Sequence, residues 1–512
     1  MSTDHVPKDT LTILTASAEF YPFARTGELG DHVGSLTEAL AVRGHRVMVF
    51  LPRYGCIDPE LLRGFEPVHQ VHLPMDGEEV TGTVWRGRRP ASPVLVYLIE
   101  QAELFDRRGI HADPESGEPY ADSGRRIVFF CRAVLETLRA LKLKPDVIHA
   151  HDHAAALIPA YLKTLYCEDS HVREVASVLT IHDLRFQGVH EREFLDLTGL
   201  PSDVFHSASP FEFWGKVNVM KAGVCFADLV STLSPRHAQE ITWSEEAGIG
   251  LEGVLRERQQ DLVGIVSGID VDTWDPRSDP ALTARFSCDA LGGKKLCRQD
   301  LVQRFGLDDR LAVVALVTPL VEEKGIELLE MAADELLERD VSVVILGTGE
   351  GRFESFVRAW RDRRQGRVAA VLGDNEELAR QIIAGADLLL MPSRLERCGS
   401  TQLHAMRYGT IPVVRAVGGL ADTVRDFEPP GGNGNGFTFA GYTAPDLLDA
   451  LDRALAAWQN PEQRALLIRR GMTRDDSWDR AAAAYVDAFE RARERKHRDN
   501  PRSWATGAVE QR

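Results

Sequence analysis

Short, unbroken apolar runs alternate along most of the chain with longer segments whose apolar residues recur every three or four positions. In the first half the runs at 11–18, 46–52, 94–100, 146–149, 176–181, 228–233 and 262–266 read as strands. In the second half the runs are 311–317, 341–346, 368–372, 388–392 and 411–414. Strands this continuously apolar, separated by amphipathic helices, predict an α/β protein with parallel sheets covered on both faces. The helices carry ordinary stop signals: "HVGSLTEALAVRGH" ends at Gly44, a good C-terminal cap. "EKGIELLEMAADELLERD" has one apolar and one charged face.

The alternation lapses at "SGIDVDTWDPRSDP", 267–280, rich in Gly, Asp and Pro, which reads as a linker. It divides the chain into a domain over 1–267 and a second over 268–477, each doubly wound. A last helix over 478–497 and a polar tail over 498–512 follow. Ligands of open α/β sheets bind at the carboxyl ends of the strands, so two such domains are expected to face each other across a cleft lined by post-strand residues.

Length and charge narrow the picture. At 512 residues, two or three domains are expected. A net charge of −17 argues against a broad nucleic-acid surface. The first ten residues lack the apolar core of a signal peptide, and no apolar run reaches the ~18 residues of a membrane span. The seven cysteines are scattered without a Cys-x-x-Cys pair, so neither disulfides nor zinc are expected and a reducing cytoplasm is the simplest home.

Four post-strand stretches carry candidate chemistry. In "ARTGELGD", Gly27 and Gly30 allow close backbone approach and Arg25 offers a charge to an anion; a glycine turn that merely starts a helix is the alternative. "HAHDHAA" at 149–155 and "TIHDLRFQG" at 180–188 crowd histidines and aspartates at two strand ends. Alternation along a strand lets His149, His151 and His153 converge while Asp152 points elsewhere. Sugar-hydroxyl or packing roles are preferred to a metal site there. In "TPLVEEKGIELL", Lys324 and Gly325 lie at a helix start, where an ammonium and a helix dipole both favour phosphate, although a solvated lysine would look the same. In "MPSRLERCGSTQLHAMRYGTIPVV", a loop carries Glu396 and "GSTQ" opens a helix. "VVRAVGGLADTV" then places Gly418 and Gly419 at another strand-to-helix turn.

Together these stretches, with "AEFYPFARTGELGDHVGSL", "DVIHAHDHAAAL", "VNVMKAG", "LGTGE" and "AGADLLLMPSRLERCG", resemble the bacterial glycogen synthase and plant starch synthase family. The resemblance covers about residues 11–490. It implies two Rossmann-like domains of the GT-B type and retaining transfer of glucose from a nucleotide sugar, usually ADP-glucose. The acceptor it implies is the non-reducing 4-OH of an α-1,4-glucan. By position, Lys324 would hold the diphosphate, Glu396 the donor-sugar hydroxyls, and His182 would stand near the reacting glucose. Arg25, Gly27, Asp152, Asp183, Gly399, Ser400, Thr401, Gly418 and Gly419 complete the implied donor and substrate site. No cofactor, metal, nucleic acid or membrane is implied, and the last helix resembles one that crosses back onto the first domain.

Several positions depart from the family. Its Lys-Thr-Gly-Gly-Leu loop has Arg25 for the lysine and Glu28 for the second glycine. Pro319 stands where an arginine is expected beside the diphosphate. Asp183 replaces an asparagine, His153 a tryptophan, Ser267 an asparagine and Asp374 a stacking aromatic. Glu28 and Asp374 bring negative charge toward a doubly charged ligand. Three readings follow: an active glucosyltransferase with altered donor affinity, a silent glucan-binding or regulatory paralogue, or a related enzyme using another sugar donor.

Overall fold

The computed structural model describes residues 10–429 and 432–498, which form two compact units. Unit one comprises residues up to 233, 238–265 and those from 481; unit two comprises 234–237 and 266–480. Apart from Arg498, the polar tail lies outside the described residues.

The strands of unit one are β1 (Thr12–Ala16), β2 (Arg46–Pro52), β3 (Glu66–Met75), β4 (Glu78–Arg88), β5 (Leu95–Glu100), β6 (Val147–His151), β7 (Ala176–Ile181), β8 (Val189–His190), β9 (Glu212–Phe213), β10 (Lys216–Asn218), β11 (Leu229–Thr232) and β12 (Leu262–Gly264). Nine of them make one sheet in the order β12-β11-β7-β6-β1-β2-β5-β4-β3, and β8, β10 and β9 make a small antiparallel one. From β12 to β5 neighbours are parallel, but β4 runs antiparallel to β5 and to β3. That departs from the expected all-parallel sheet. The reason is local: β3 and β4 alternate exposed and buried positions, the signature of a sheet with one wet face, and Asp76–Gly77 turns between them with both φ positive.

Unit two holds β13 (Ala312–Val317), β14 (Val341–Gly347), β15 (Val368–Leu372), β16 (Leu388–Met391), β17 (Ile411–Arg415) and β18 (Phe437–Phe439). All neighbours are parallel, in the order β15-β14-β13-β16-β17-β18. This is the 3-2-1-4-5-6 arrangement of a dinucleotide-binding fold, in which the strand order reverses between β13 and β16. Alternate residues feed two separate cores: Val314, Leu316, Val343 and Ile345 pack on one face, and Val313, Ala315, Val344 and Leu346 on the other. The sheet is buried on both sides, as its unbroken apolar strands require.

The segment 267–280 is no free linker. Ile269 bridges to Ser477, Trp274 stacks on His404 at 3.7 Å, and the Arg407 guanidinium donates to the Val271 and Trp274 carbonyls. Its turns are closed by Asp270 and Asp275 side chains, which explains a composition that reads as loop. Among the described residues no helix is long and apolar enough to cross a membrane.

Candidate active site

In each unit the candidate residues lie at strand ends at or beside the reversal point of the strand order. In unit one it lies between β1 and β6, so the loop after β1 and the turn after β6 share it.

The loop after β1 is organised by Glu19, a residue with no place in the sequence expectations. Its buried carboxylate accepts the Thr26 N–H and hydroxyl, both at 2.6 Å, the Gly27 N–H at 3.3 Å, and contacts His111 Nε2 at 2.9 Å. Burial alone would raise its pKa, but the His111 and Thr26 hydrogen bonds outweigh that and hold it below the usual carboxylate value. Glu19 thus fixes "ARTG" from beneath. Its only signal was a carboxylate immediately after an apolar strand.

On that platform Gly27 caps helix Glu28–Val42 in extended conformation, and a Cβ added there would meet nothing within 4 Å. Arg25 is exposed and pairs with Asp31 at 2.9 Å. Glu28, also exposed, and Asp31 lie in the first helical turn, where their charge complements the dipole.

After β6, Asp152 takes φ +52, a left-handed turn tolerated by few residues other than Gly, Asn and Asp. The turn aims its carboxylate at the end of β7, where Oδ1 accepts the His182 N–H at 2.7 Å and the Asp183 N–H at 3.4 Å. Asp152 therefore anchors the His182 loop through the backbone. The Asp183 carboxylate is in turn clasped by Arg185 at 2.6 Å. Of the three histidines at 149–153, two converge. The rings of His149 and His151 lie 4.0 Å apart, whereas His153, already on the following helix, stacks near Phe186.

His182 Nε2 is 2.9 Å from His151 Nδ1, and the His32 ring stands edge-on to His182 at 4.8 Å. Tyr485 and Phe489 cover His149 at 5.3 and 5.2 Å. All four imidazoles are buried. Burial pushes the pKa of His32 and His149 down to about 3, His32 adding to the effect at His149. His151 lies well below its ordinary value, through burial first and then its histidine neighbours. At neutral pH those three are uncharged.

In unit two the reversal point is flanked by the turn after β13 and the loop after β16. Lys324 ends the turn Glu322–Lys324, and Gly325 follows with φ +73, a Cβ there falling 1.9 Å from the Pro392 carbonyl oxygen. That close approach brings Lys324 Nζ to both oxygens of Glu396, at 2.8 and 2.9 Å. Ser393 Oγ donates to the same carboxylate at 3.2 Å, and Glu396 is almost wholly buried. Gly418, at φ +43, passes so near that a Cβ would lie 1.4 Å from the Glu396 carbonyl oxygen; one on Gly419 would lie 1.9 Å from that of Cys398. Gly399, at φ +70, turns the chain into Ser400 and the helix Thr401–Arg407. Lys324, Glu396, Gly399, Ser400, Thr401, Gly418 and Gly419 therefore share one end of one sheet. Arg25, Gly27, Asp152, His182 and Asp183 occupy strand ends of the other unit. Pro319 and Asp374 are exposed.

Among the described residues no group of three or more His, Cys, Asp or Glu is arranged to hold a metal ion.

Residues 12–257 match the family described as starch synthase catalytic domain, and residues 298–473 match glycosyl transferases group 1. The chain is 44% identical to a glycogen synthase of Anaeromyxobacter dehalogenans (strain 2CP-1 / ATCC BAA-258) over 479 residues, 93% of this chain and 98% of that one. It is 42% identical to a glycogen synthase of Anaeromyxobacter sp. (strain Fw109-5) over 478 residues, with the same coverage. Among solved structures, the catalytic domain of starch synthase IV from Arabidopsis thaliana, bound to ADP and acarbose, superposes with a TM-score of 0.83 at 30% identity. That match covers 95% of this chain and all of the other. Two Rossmann-like domains and these matches place the chain in the glycogen synthase and starch synthase family of GT-B glucosyltransferases.

Proposed function

We propose that the protein transfers glucose from ADP-glucose to the non-reducing 4-OH of an α-1,4-glucan, with retention at the anomeric carbon. The observation that carries this reading is the Lys324–Glu396 pair at the reversal point of unit two, a cation and a carboxylate fixed side by side. Such a pair suits a nucleotide sugar: Lys324 neutralises the diphosphate, and Glu396 accepts hydrogen bonds from the sugar hydroxyls. The reaction breaks the bond from C1 to the diphosphate and forms one from C1 to the acceptor O4. The acceptor proton passes to the departing diphosphate on the same face. Positive charge grows on the sugar and negative charge on the leaving group, so catalysis consists mainly of positioning and of stabilising that negative charge. His182, held through its backbone by Asp152, borders the reacting glucose.

The experiment is incorporation of labelled glucose into glycogen from ADP-glucose and from UDP-glucose, with Lys324→Ala as control. Incorporation from ADP-glucose that disappears in the control is expected; no incorporation above the control from either donor refutes the proposal.

A further inference from the structure

The turn Glu322–Lys324 and the loop after β16 are joined residue by residue. Glu322 meets Arg394 at 2.5 Å, Glu323 meets Arg397 at 3.3 Å, and Lys324 meets Glu396 at 2.8 Å. The backbone follows the same register, the Arg394 and Leu395 N–H groups donating to the Glu323 carbonyl at 2.8 and 3.1 Å.

The three contacts are unequal. Lys324 engages both oxygens of a buried carboxylate. Arg394 is the most open, and its guanidinium shares the Tyr442 ring with Arg415. Arg397 is the intermediate case. Both it and Glu323 are about four-fifths buried, yet they meet at a distance that is long beside the fork an arginine and a carboxylate favour. Its main chain, in contrast, is fixed. The Arg397 carbonyl accepts the Ser234 hydroxyl at 2.8 Å, and Gly418 presses on the carbonyl before it.

We propose that Arg397 is the second cation for the diphosphate of the donor, exchanging the Glu323 carboxylate for phosphate oxygens beside those taken by Lys324. The proposal rests on the reading of Lys324 as the diphosphate-binding residue. Arg397 neighbours Glu396 in sequence as Glu323 neighbours Lys324, so the two ion pairs join the same adjacent positions of the two loops. A diphosphate offers more negative charge and more acceptor oxygens than one carboxylate, and it matches the arginine fork. Pro319, on the same strand-end loop, supplies no charge. Glu323 is then a competitor that sets how tightly a diphosphate must bind to displace it.

The test is calorimetric titration of the parent and its variants with ADP at low salt, with thermal unfolding recorded for each. Arg397→Gln is expected to weaken ADP about ten- to a hundredfold, the equivalent of one charge-assisted hydrogen bond. Arg397→Lys should keep part of the affinity. Glu323→Gln is expected to tighten ADP, up to about fivefold. The opposite signs are decisive, because a pair that only braces the loop would lose affinity when either partner is removed. Should Arg397→Gln fail to fold, Glu323→Gln carries the test by its sign. Weakening in Glu323→Gln, or parental affinity in Arg397→Gln, overturns the proposal. If parent and Lys324→Ala bind ADP equally, the Lys324 reading itself fails. If only Lys324→Ala loses ADP while Arg397→Gln keeps it, that reading stands and Arg397 is excluded.

Discussion

At the strand ends of unit one the buried side chains are imidazoles, His32, His149 and His151 among them kept neutral, and two carboxylates, Glu19 and Asp152, spent on backbone and hydroxyl donors. At the strand ends of unit two they are ion pairs, Lys324–Glu396 and Glu323–Arg397. The same sheet geometry is thus furnished in two ways. Neutral rings and backbone groups suit a ligand of hydroxyls, whereas paired charges hold ready a cation whose partner a more highly charged anion can replace. The proposed function thus places the charge chemistry of the reaction in unit two and shape recognition in unit one, and each half of that proposal can be broken separately.

Acid should break unit one first, and with the largest effect. His32 and His149 have folded pKa values of about 3 against about 6.5 unfolded. The neutral form is the one that fits, so their contribution is fully present above about pH 6.5 and is lost as pH falls toward 3. In that window the unfolded chain binds more protons than the folded one. With His151 shifted the same way, three protons are taken up together, a slope of up to about 4 kcal/mol per pH unit. Urea midpoints read by fluorescence at pH 7 and pH 5 test this. Equal midpoints would contradict the neutral-cluster description, and His149→Gln should flatten the dependence.

The next largest effect belongs to unit two. Lys324→Ala leaves the buried Glu396 carboxylate without its cation, which should cost about 3 to 5 kcal/mol of stability and about a hundred- to a thousandfold in turnover. The double variant Lys324→Met with Glu396→Gln removes both charges and should recover most of the stability but none of the turnover. Were the double variant as unstable as the single, packing and not charge would be what holds the pair.

Much of this organisation was legible in the alternation of apolar runs. β2, β7 and β15 have the expected bounds, and the residues expected to carry chemistry fall at strand ends because parallel strands leave no other place for them. What escaped did so for physical reasons. The β3–β4 hairpin buries only one face, so its alternation is diluted by exposed polar residues, although Asp76–Gly77 marked the turn. β18 is three residues long. The Glu323–Arg397 pair escaped because it is set by how two distant loops register against one another, which no local pattern encodes, and Glu19 escaped because its bonds to Thr26 and Gly27 depend on how the loop after β1 folds back on itself.

Glu19→Gln should have a smaller effect than the loss of Lys324. The amide keeps one oxygen for the Thr26 and Gly27 N–H groups but cannot also accept from the Thr26 hydroxyl and meet His111 as the carboxylate does. A loss of about 1 to 3 kcal/mol is expected. Hydrogen exchange at residues 25–30 should rise while that of unit two stays constant. Unchanged exchange in that loop would show that Glu19 does not hold it.

The smallest effect on stability is expected at Gly27, and it separates the two glycine turns. A methyl group at Gly418 would collide with backbone, so glycine there is demanded by the fold. At Gly27 the backbone is extended and the space is empty, so Gly27→Ala trades a slightly poorer helix cap for a less flexible unfolded chain, a net change within about 1 kcal/mol. If that open space serves a ligand that approaches the backbone, the methyl group will raise the KM for ADP-glucose several-fold while leaving thermal unfolding unmoved. Parental KM in the Gly27→Ala variant would mean that the first glycine turn only starts a helix, and that recognition of the donor in this protein belongs to unit two alone.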